Sequence, residues 1–271
     1  MKKKQAALTG LAALTLFDIV GAAQAPAQAQ TPVFNWTGYY VGVHTGYRAG
    51  DFSGNAPWAT PCGCEALLFN SVPYSTTAGS GIFGFHAGYN YQFSPDVLVG
   101  IETSWSWGRG TARISATSSD SFDGFSTFNS LNYKLQLTWS GDVRGRFGFV
   151  RNDWLFYATG GVAFQYVKVS GNTQYADSFG ADSVSILGQL SQNKLLVGYV
   201  VGLGAERMAF GGWTWRMEYL FADFGSKNFN VQFNGSGQIL GDSFVTVGSA
   251  PLNLTLQTHT IRIGVTKLFN P

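Results

Sequence analysis

The sequence is poor in charge, in cysteine and in histidine, and it contains no apolar run of 18 residues. Charged residues make up only 12% of the chain, against about 25% in an average soluble domain. The formal net charge is +2, so the basic excess typical of nucleic-acid-binding proteins is missing. Intrinsic disorder is excluded as well, because disorder requires low hydrophobicity and this chain is 45% hydrophobic.

The first residues have the form of a secretory signal peptide. Lysines at positions 2–4 precede an apolar stretch at 6–17, which is shorter than the roughly 20 residues of a spanning helix. We expect cleavage after Ala29, with residues 1–29 as signal peptide and residues 30–271 as the mature domain. The segment removed holds three of the 17 basic and one of the 15 acidic residues. Fourteen of each sign remain, so the apparent basicity belongs to the export signal.

Cysteine is limited to Cys62 and Cys64, which follow Pro57 and Pro61 in a turn-rich stretch. A disulfide within this Cys-Gly-Cys segment fits an exported protein, and two free thiols are the alternative. A zinc site is disfavoured, because structural zinc normally takes four ligands.

What the chain has in abundance is strict alternation of apolar and polar residues, which is the period of a β-strand. Phe83, Phe85, Tyr89, Tyr91 and Phe93, for example, alternate with glycine, histidine, asparagine and glutamine. The same pattern predicts eight strands, at 39–48, 81–93, 97–107, 133–149, 154–170, 197–206, 215–221 and 261–269.

The connections between these strands alternate between short and long. Short ones lie at 94–96, 150–153 and 209–212, and long ones at 52–80, 108–131, 171–193 and 226–255. Loops of this length are uncommon in compact soluble domains, whereas short turns at one end and long loops at the other are typical of outer-membrane barrels. We therefore predict an all-β fold: an eight-stranded antiparallel transmembrane up-and-down β-barrel with long extracellular loops.

Aromatic residues on the apolar face gather near both strand ends, as two bilayer interfaces require. A soluble β-sandwich, the alternative fold, has no need of two such belts. Near the short turns lie Trp36, Tyr91, Phe93, Phe147, Phe149, Trp154, Trp213, Trp215 and Phe269, and near the long loops lie Tyr47, Trp105, Trp107, Tyr133 and Phe224.

The polar face carries charges of both signs in mid-strand. Eight strands enclose an interior that side chains can fill, and desolvated charges inside it must pair. We therefore predict a salt-bridged plug rather than an open channel. Its members are Glu102, Asp142, Arg144, Arg146, Glu206, Arg216, Glu218 and Arg262.

Several strand motifs resemble those of the small alphaproteobacterial outer-membrane immunogenic, porin-like proteins. They are Phe34-Asn-Trp-Thr-Gly-Tyr-Tyr-Val-Gly42, Tyr157-Ala-Thr-Gly-Gly161, Arg216-Met-Glu-Tyr219 and His259-Thr-Ile-Arg-Ile-Gly264. The resemblance implies an OmpA-type eight-stranded barrel in the cell outer membrane that acts as a surface antigen and envelope component. Some relatives are described as haemin binders or adhesins. This chain departs from the usual pattern by ending Phe269-Asn270-Pro271 instead of on the aromatic residue.

The expected partners follow from this location. They are outer-membrane lipid and lipopolysaccharide, the barrel-assembly machinery through the C-terminal strand, and host or extracellular ligands through the loops. We expect a monomer that binds no nucleic acid. The loops carry sparse mixed charge, and their phenylalanines either form a recognition surface or pack the loops on one another: Phe122, Phe125, Phe128, Phe229 and Phe233.

No motif calls for a catalytic, cofactor or metal site. The glycine-rich segment from Gly79 to Gly84 matches GxGxxG, but it leads into a strand and not into the helix that the dinucleotide mechanism needs. His44 and His86 share the inward face, where membership of a hydrogen-bond network is favoured over a metal or acid-base site.

Two weaker possibilities concern the long loops. His259 lies near the loop rim with no evident partner, and a lipid-modifying enzyme would need a serine or similar nucleophile beside it. Haem ligation by Tyr74 or Tyr175 has no support in the sequence. The function predicted is that of a non-catalytic outer-membrane surface antigen that contributes to envelope integrity and surface interactions. A narrow porin for small solutes is the alternative, with the lipid-modifying enzyme third.

Overall fold

The computed structural model describes residues 34–61 and 67–269. The predicted signal peptide and both cysteines, Cys62 and Cys64, lie outside these ranges. No helix in the described residues is long and apolar enough to cross a membrane, a finding that does not bear on crossing by strands. The described chain forms nine strands: β1 (Gly38–Pro61), β2 (Leu67–Ser94), β3 (Val97–Trp107), β4 (Gly110–Phe122), β5 (Phe125–Arg151), β6 (Trp154–Phe179), β7 (Asp182–Met208), β8 (Trp213–Ile239) and β9 (Asp242–Phe269).

The nine strands occupy eight positions around a closed ring. Strands β3 and β4 share one position, because both pair with β5, β3 with its second half and β4 with its first. Strand β2 pairs with β1 and β3, the ladders continue from β5 through β9, and β9 pairs with β1. Every pairing is antiparallel. The predicted eight-stranded up-and-down barrel is therefore confirmed, with one of its positions interrupted at residues 108–109.

The three predicted short turns lie together at one end of the barrel. Two-residue turns join β2 to β3 and β5 to β6, and residues 209–212 join β7 to β8. Asn152 adopts a left-handed φ of 56°, which asparagine tolerates better than most residues. Beside it, Arg207 donates a 2.8 Å hydrogen bond to the Asp153 carboxylate, and this bond lowers the pKa of that carboxyl below its ordinary value.

The prediction of long loops was wrong, because most of each segment is paired strand. Apart from β3 and β4, the strands are 24 to 28 residues long, far beyond the roughly 9–11 residues of a tilted transmembrane strand. Three hairpins turn tightly at Asp123-Gly124, Gly180-Ala181 and Leu240-Gly241. Pairing satisfies the backbone N–H and C=O groups along the hairpins, so they extend the barrel away from its short-turn end.

Polarity inverts along each long strand while the backbone continues. On β9, Ile261 and Ile263 point outward and are 60% and 54% exposed, whereas Arg262 between them is buried inside. Further along the same strand, Leu252, Leu254 and Leu256 point inward and are fully buried. The apolar side chains thus face outward in one half and inward in the other. The outer wall therefore meets lipid in the first half and water in the second.

A bulge conceals this inversion on β5. The pairing of β5 with β6 shifts between Leu137 and Ser140, so that Tyr133 and Leu137 point inward while Phe147 and Phe149 point outward. All four have the same sequence parity. The prediction of a single apolar face from Tyr133 to Phe149 was therefore wrong for its first half.

Both predicted aromatic belts are present, but three of their predicted members are wrong. Trp36, Tyr133 and Phe224 are buried inside the barrel, at 1%, 2% and 3% exposure. The remaining residues predicted near the short turns are exposed on the outer wall: Tyr91, Phe93, Phe147, Phe149, Trp154, Trp213, Trp215 and Phe269. At the other boundary Tyr47 and Trp107 are exposed, and the Trp105 and Trp139 rings stack with centroids 4.5 Å apart.

Candidate functional site

The buried side chains inside the described part of the barrel form three layers. At the short-turn end, an apolar plug packs Trp36, Leu98, Val150, Leu155 and Tyr157. Above it lies a layer of buried charges. Beyond the outer aromatic belt, the inward apolar side chains of the long hairpins form a large core. Its biggest fully buried members are Tyr133, Phe52, Phe229, Phe233, Leu131, Leu135 and Leu137.

All eight predicted lumen residues lie in the charged layer, and ion pairs join them. Glu102, on β3, is 1% exposed and lies at its centre. Arg216 donates to its carboxylate at 2.8 Å, Arg144 also donates to it, and Arg146 and Arg262 approach within 3.5 and 3.6 Å. One carboxylate thus contacts guanidinium groups from β5, β8 and β9.

A second carboxylate, Glu218 on β8, binds three of the same four arginines. It accepts from Arg144 at 2.9 Å, from Arg216 at 3.1 Å and from Arg262 at 2.6 Å. Because three guanidinium groups lie between two carboxylates, each charge has more than one partner. Multiple hydrogen bonds of this kind are what a buried ion pair needs to offset its desolvation.

Glu206 and Asp142 complete the network at its edges. Glu206 accepts from Arg146 at 2.7 Å. Asp142 accepts from Arg144 at 2.7 Å and from the Ser104 hydroxyl at 2.6 Å. Five strands, β3, β5, β7, β8 and β9, therefore contribute acids or bases that no short sequence motif connects.

Two tyrosines belong to the network, and the sequence analysis did not assign them to it. Tyr40 donates to Glu102 at 2.9 Å and accepts from Arg146 at 2.8 Å. Tyr157 donates to Glu218 at 3.1 Å, and its ring lies 3.9 Å from the Arg146 guanidinium carbon. Tyr40 has the inward parity of β1, which was the signal available. Their hydroxyl groups join the apolar plug to the charged layer.

Arg48 is a further buried charge outside this network and differs from the network residues in its partners. It is 2% exposed and donates to Ser140 at 2.7 Å, to Gln165 at 3.0 Å and to the Thr138 carbonyl at 2.8 Å. None of these three acceptors is a carboxylate. A cavity of about 40 Å³ lies beside it, room for about one water molecule.

The two inward histidines form a hydrogen-bonded chain with two hydroxyl groups. His44 Nε2 lies 2.8 Å from Ser106 Oγ, the two Nδ1 atoms are 3.3 Å apart, and His86 Nε2 lies 2.9 Å from Thr266 Oγ1. His44 and Ser106 are 5% and 4% exposed, so a substrate has no access to this serine–histidine pair. Among the described residues, no group of three His, Cys, Asp or Glu side chains is placed to bind a metal ion.

The remaining candidates of the long segments have partners within the fold. His259 Nδ1 lies 2.7 Å from the Tyr219 hydroxyl, and its Nε2 lies 3.8 Å from Asp51. Tyr74 donates to the Asn253 carbonyl at 2.9 Å and Tyr175 to Asp177 at 3.1 Å. These contacts give His259 the partner that the sequence did not reveal.

Two of the five phenylalanines of the long segments pack inside the fold, and the other three are exposed. Phe229 and Phe233 are buried in the apolar core, at 0% and 1% exposure. Phe122, Phe125 and Phe128 are 82%, 42% and 40% exposed near a hairpin tip. The sequence does not separate the two groups, because pairing across the barrel decides which face is enclosed.

The charges of segments 108–134, 168–193 and 226–255 are separated along the hairpins, although the sequence showed only a sparse mixture. Aspartates lie near the tips: Asp120, Asp123, Asp177, Asp182 and Asp242. Basic residues lie nearer the outer aromatic belt: Arg109, Arg113, Lys134, Lys168 and Lys227. Between the tips, an open cavity of about 680 Å³ is lined by several serines together with Phe128, Asp177 and Phe244.

A closed ring of strands with a lipid-facing aromatic wall and a charged, filled interior defines a small transmembrane β-barrel of the outer-membrane type. The chain matches the model of the outer membrane protein beta-barrel domain family over residues 14–266, and it belongs to that family.

Two relatives support this assignment, and one solved structure has only low similarity to the chain. The chain is 30% identical over 265 residues to the 31 kDa outer-membrane immunogenic protein of Brucella melitensis biotype 1, which covers 97% of this chain and 96% of that protein. It is 25% identical over 217 residues to the 22 kDa outer membrane protein of Rhizobium leguminosarum bv. viciae, covering 80% and 78%. The crystal structure of the outer membrane protein OprG from Pseudomonas aeruginosa is 11% identical, with a TM-score of 0.41, over 88% of this chain and 99% of that one.

The family match and the Brucella and Rhizobium relatives confirm the predicted family and place the protein in the cell outer membrane. The curated relatives are named outer-membrane proteins, several of them immunogenic, and not enzymes. By the usual arrangement of such barrels, the short turns face the periplasm and the long hairpins face the cell exterior.

Proposed function

We propose that this protein is a non-catalytic, non-conducting barrel of the outer membrane, a surface antigen that contributes to envelope integrity and to contacts at the cell surface. The observation that carries the proposal is the filled interior. A layer of mutually paired charges lies between two apolar layers, and its central carboxylates, Glu102 and Glu218, are each 1% exposed.

The filled interior disfavours the narrow porin. A pore for small solutes needs a continuous water path, whereas Trp36 and Leu98 close the periplasmic end and Phe52 and Leu137 lie in the apolar core beyond the charges. The balance of charge agrees, since the predicted network has four acids and four arginines that bind one another instead of ions in transit.

Conductance in planar lipid bilayers tests the proposal. The purified, folded protein should give no steady unit conductance across a range of voltages, while a large open porin added to the same bilayer serves as the positive control. Folding is checked by the different gel mobility of heated and unheated samples. Steady conductance steps from the folded protein would overturn the proposal and favour the porin.

The role in surface contacts rests on the hairpin tips. Each described tip carries one strongly exposed apolar side chain: Phe122 at 82%, Phe179 at 58% and Leu240 at 89%. Aspartates surround them, and the 680 Å³ cavity opens between them. An extracellular partner with apolar and basic groups fits this surface. We further propose that the barrel acts as a monomer and that β9 is the strand presented to the assembly machinery.

A further inference from the structure

A group of basic side chains on the outer wall lies immediately above the outer aromatic belt. It consists of Arg109, Arg113, Lys134 and Lys168, which we call the outer basic cluster. Arg109, Arg113 and Lys168 are exposed and Lys134 is half-buried. The four residues lie on, or just before, the adjacent strands β4, β5 and β6, so the cluster covers one side of the barrel.

Within this cluster, like charges are placed opposite each other. Arg113 pairs directly with Lys134 across the β4–β5 ladder. Lys134 is opposite Ser170 on β6, and Lys168 is opposite Gln136, so the two lysines are diagonal neighbours. Like charges directly opposite each other on a sheet are destabilising unless something screens them.

No side chain in the described part of the barrel neutralises the cluster. None of its four residues forms an ion pair or a side-chain hydrogen bond there. The acids of β4 and β6, Asp120 and Asp177, lie seven and nine residues further along their strands than Arg113 and Lys168. Four uncompensated cations on one wall are the electrostatic complement of a multiply charged anion.

The aromatic residues below the cluster fix its depth in the membrane. Trp105, Trp139 and Tyr166 form a continuous stack on the outer wall, with interplanar angles of 13° and centroids 4.5 and 5.5 Å apart. Aromatic side chains of such belts lie at the headgroup level. Lys168 follows Tyr166 by two residues on the same face of β6, which brings its ammonium group to the layer of lipid headgroups.

From this geometry we propose that the outer basic cluster binds the phosphate groups of a phosphorylated glycolipid in the outer leaflet, whose acyl chains lie along the Trp105–Trp139–Tyr166 stack. The inference deepens the envelope role proposed above and rests on it, with the short turns facing the periplasm and the long hairpins facing the cell exterior. It gives that role a molecular basis, because phosphate bridges between this wall and its lipids tie the protein into the leaflet.

The test compares two double variants with equal loss of charge in the full-length, detergent-solubilised protein. R113Q/K134Q removes the facing cations of the cluster. R151Q/K267Q removes two cations at the periplasmic end and is the matched control. Thermal unfolding is followed as the loss of the folded form on gels, with added diphosphoryl lipid A, fully dephosphorylated lipid A, inorganic phosphate or dextran sulfate.

Diphosphoryl lipid A should raise the unfolding temperature of the wild type and of R151Q/K267Q, and this shift should fall by at least half in R113Q/K134Q. Dephosphorylated lipid A and inorganic phosphate should give little shift. Without lipid, R113Q/K134Q should be at least as stable as the wild type, since the variant relieves repulsion. If that variant does not fold, the wild-type shift should still disappear in high salt.

Three results would overturn the inference: equal shifts in both double variants, an equal shift with dephosphorylated lipid, or a larger shift with dextran sulfate, which would favour a soluble polyanion. None of these outcomes depends on conductance. A conducting protein would refute the non-conducting barrel and leave the lipid shift untouched, so the two proposals fail separately.

Discussion

The charge network makes a quantitative prediction at Glu218. The isosteric substitution Glu218→Gln removes one negative charge and leaves its three arginines with Glu102 as their shared carboxylate, while Arg144 also keeps Asp142. The native carboxylate accepts from Arg144, Arg216 and Arg262 at 2.6 to 3.1 Å and is 1% exposed. Removing one partner of a buried ion pair typically costs about 3–5 kcal/mol.

We expect the lower end of that range, because Glu102 remains in contact with the same arginines. A loss of about 3 kcal/mol corresponds to a shift of more than a hundredfold in the folding equilibrium. The measurement is urea unfolding in lipid vesicles at neutral pH, followed by tryptophan fluorescence and by the gel mobility of the folded form.

The control is Asp153→Asn, which breaks the Arg207–Asp153 pair, whose side chains are 58% and 44% exposed. Exposed ion pairs contribute little to stability, so this variant should unfold at the same urea concentration as the wild type. The double variant E218Q/R262Q removes one charge of each sign. Its loss in the free energy of unfolding should be smaller than the sum of the losses in the two single variants. If E218Q and D153N unfolded at the same urea midpoint, the stabilising role assigned to the buried charge network would be refuted.

Two further predictions compare matched substitutions. Gly161→Ala should cost roughly 1–3 kcal/mol, because its new Cβ would lie 2.1 Å from the Val143 carbonyl oxygen, whereas Gly160→Ala, with no such atom nearer than 3.7 Å, should have little effect in the same unfolding assay. In the hairpin core, Phe229→Ala should cost roughly 3–5 kcal/mol and expose the hairpins to protease, while Phe122→Ala should change neither quantity, since Phe122 is 82% exposed. Equal stability of Gly161→Ala and Gly160→Ala, or of Phe229→Ala and Phe122→Ala, would contradict the packing described at these positions.

The strands and the interior face of the membrane-embedded half could be predicted from the sequence. Alternation such as that of Phe83 to Phe93 identifies strands, and the mid-strand charges identify the interior face. Both conclusions depend only on the period of two that every β-strand imposes on its side chains. The same period assigned Glu102, Arg144 and Glu218 to one enclosed face before their contacts were known.

The inward and outward faces of the outer half could not be predicted from the sequence, because the polarity of each strand face inverts where the surrounding lipid is replaced by water. On β9, Leu254 and Arg262 lie on the same strand face and both point into the barrel interior. A prediction that assigns one polarity to each strand face cannot place both residues correctly. On β5, the shift between Leu137 and Ser140 changes parity where polarity also changes. The two changes cancel in the sequence, so Tyr133 to Phe149 look like one uniform strand.

Contacts within the interior were equally hidden. Arg48 carries the same inward parity as His44, but only the pairing of distant strands brings Ser140 and Gln165 to its guanidinium group. The same holds for Arg113 and Lys134, whose opposition depends on the register of β4 against β5.

The sequence by itself determined that this is an exported β-barrel with an aromatic, lipid-facing wall and a charged interior, because strand periodicity and composition are local properties. Only the tertiary structure decided how far the strands continue, which apolar residues are enclosed and which charges meet. Those features depend on strand register and on the medium at each height of the wall, and neither is encoded in the spacing of residues along one strand.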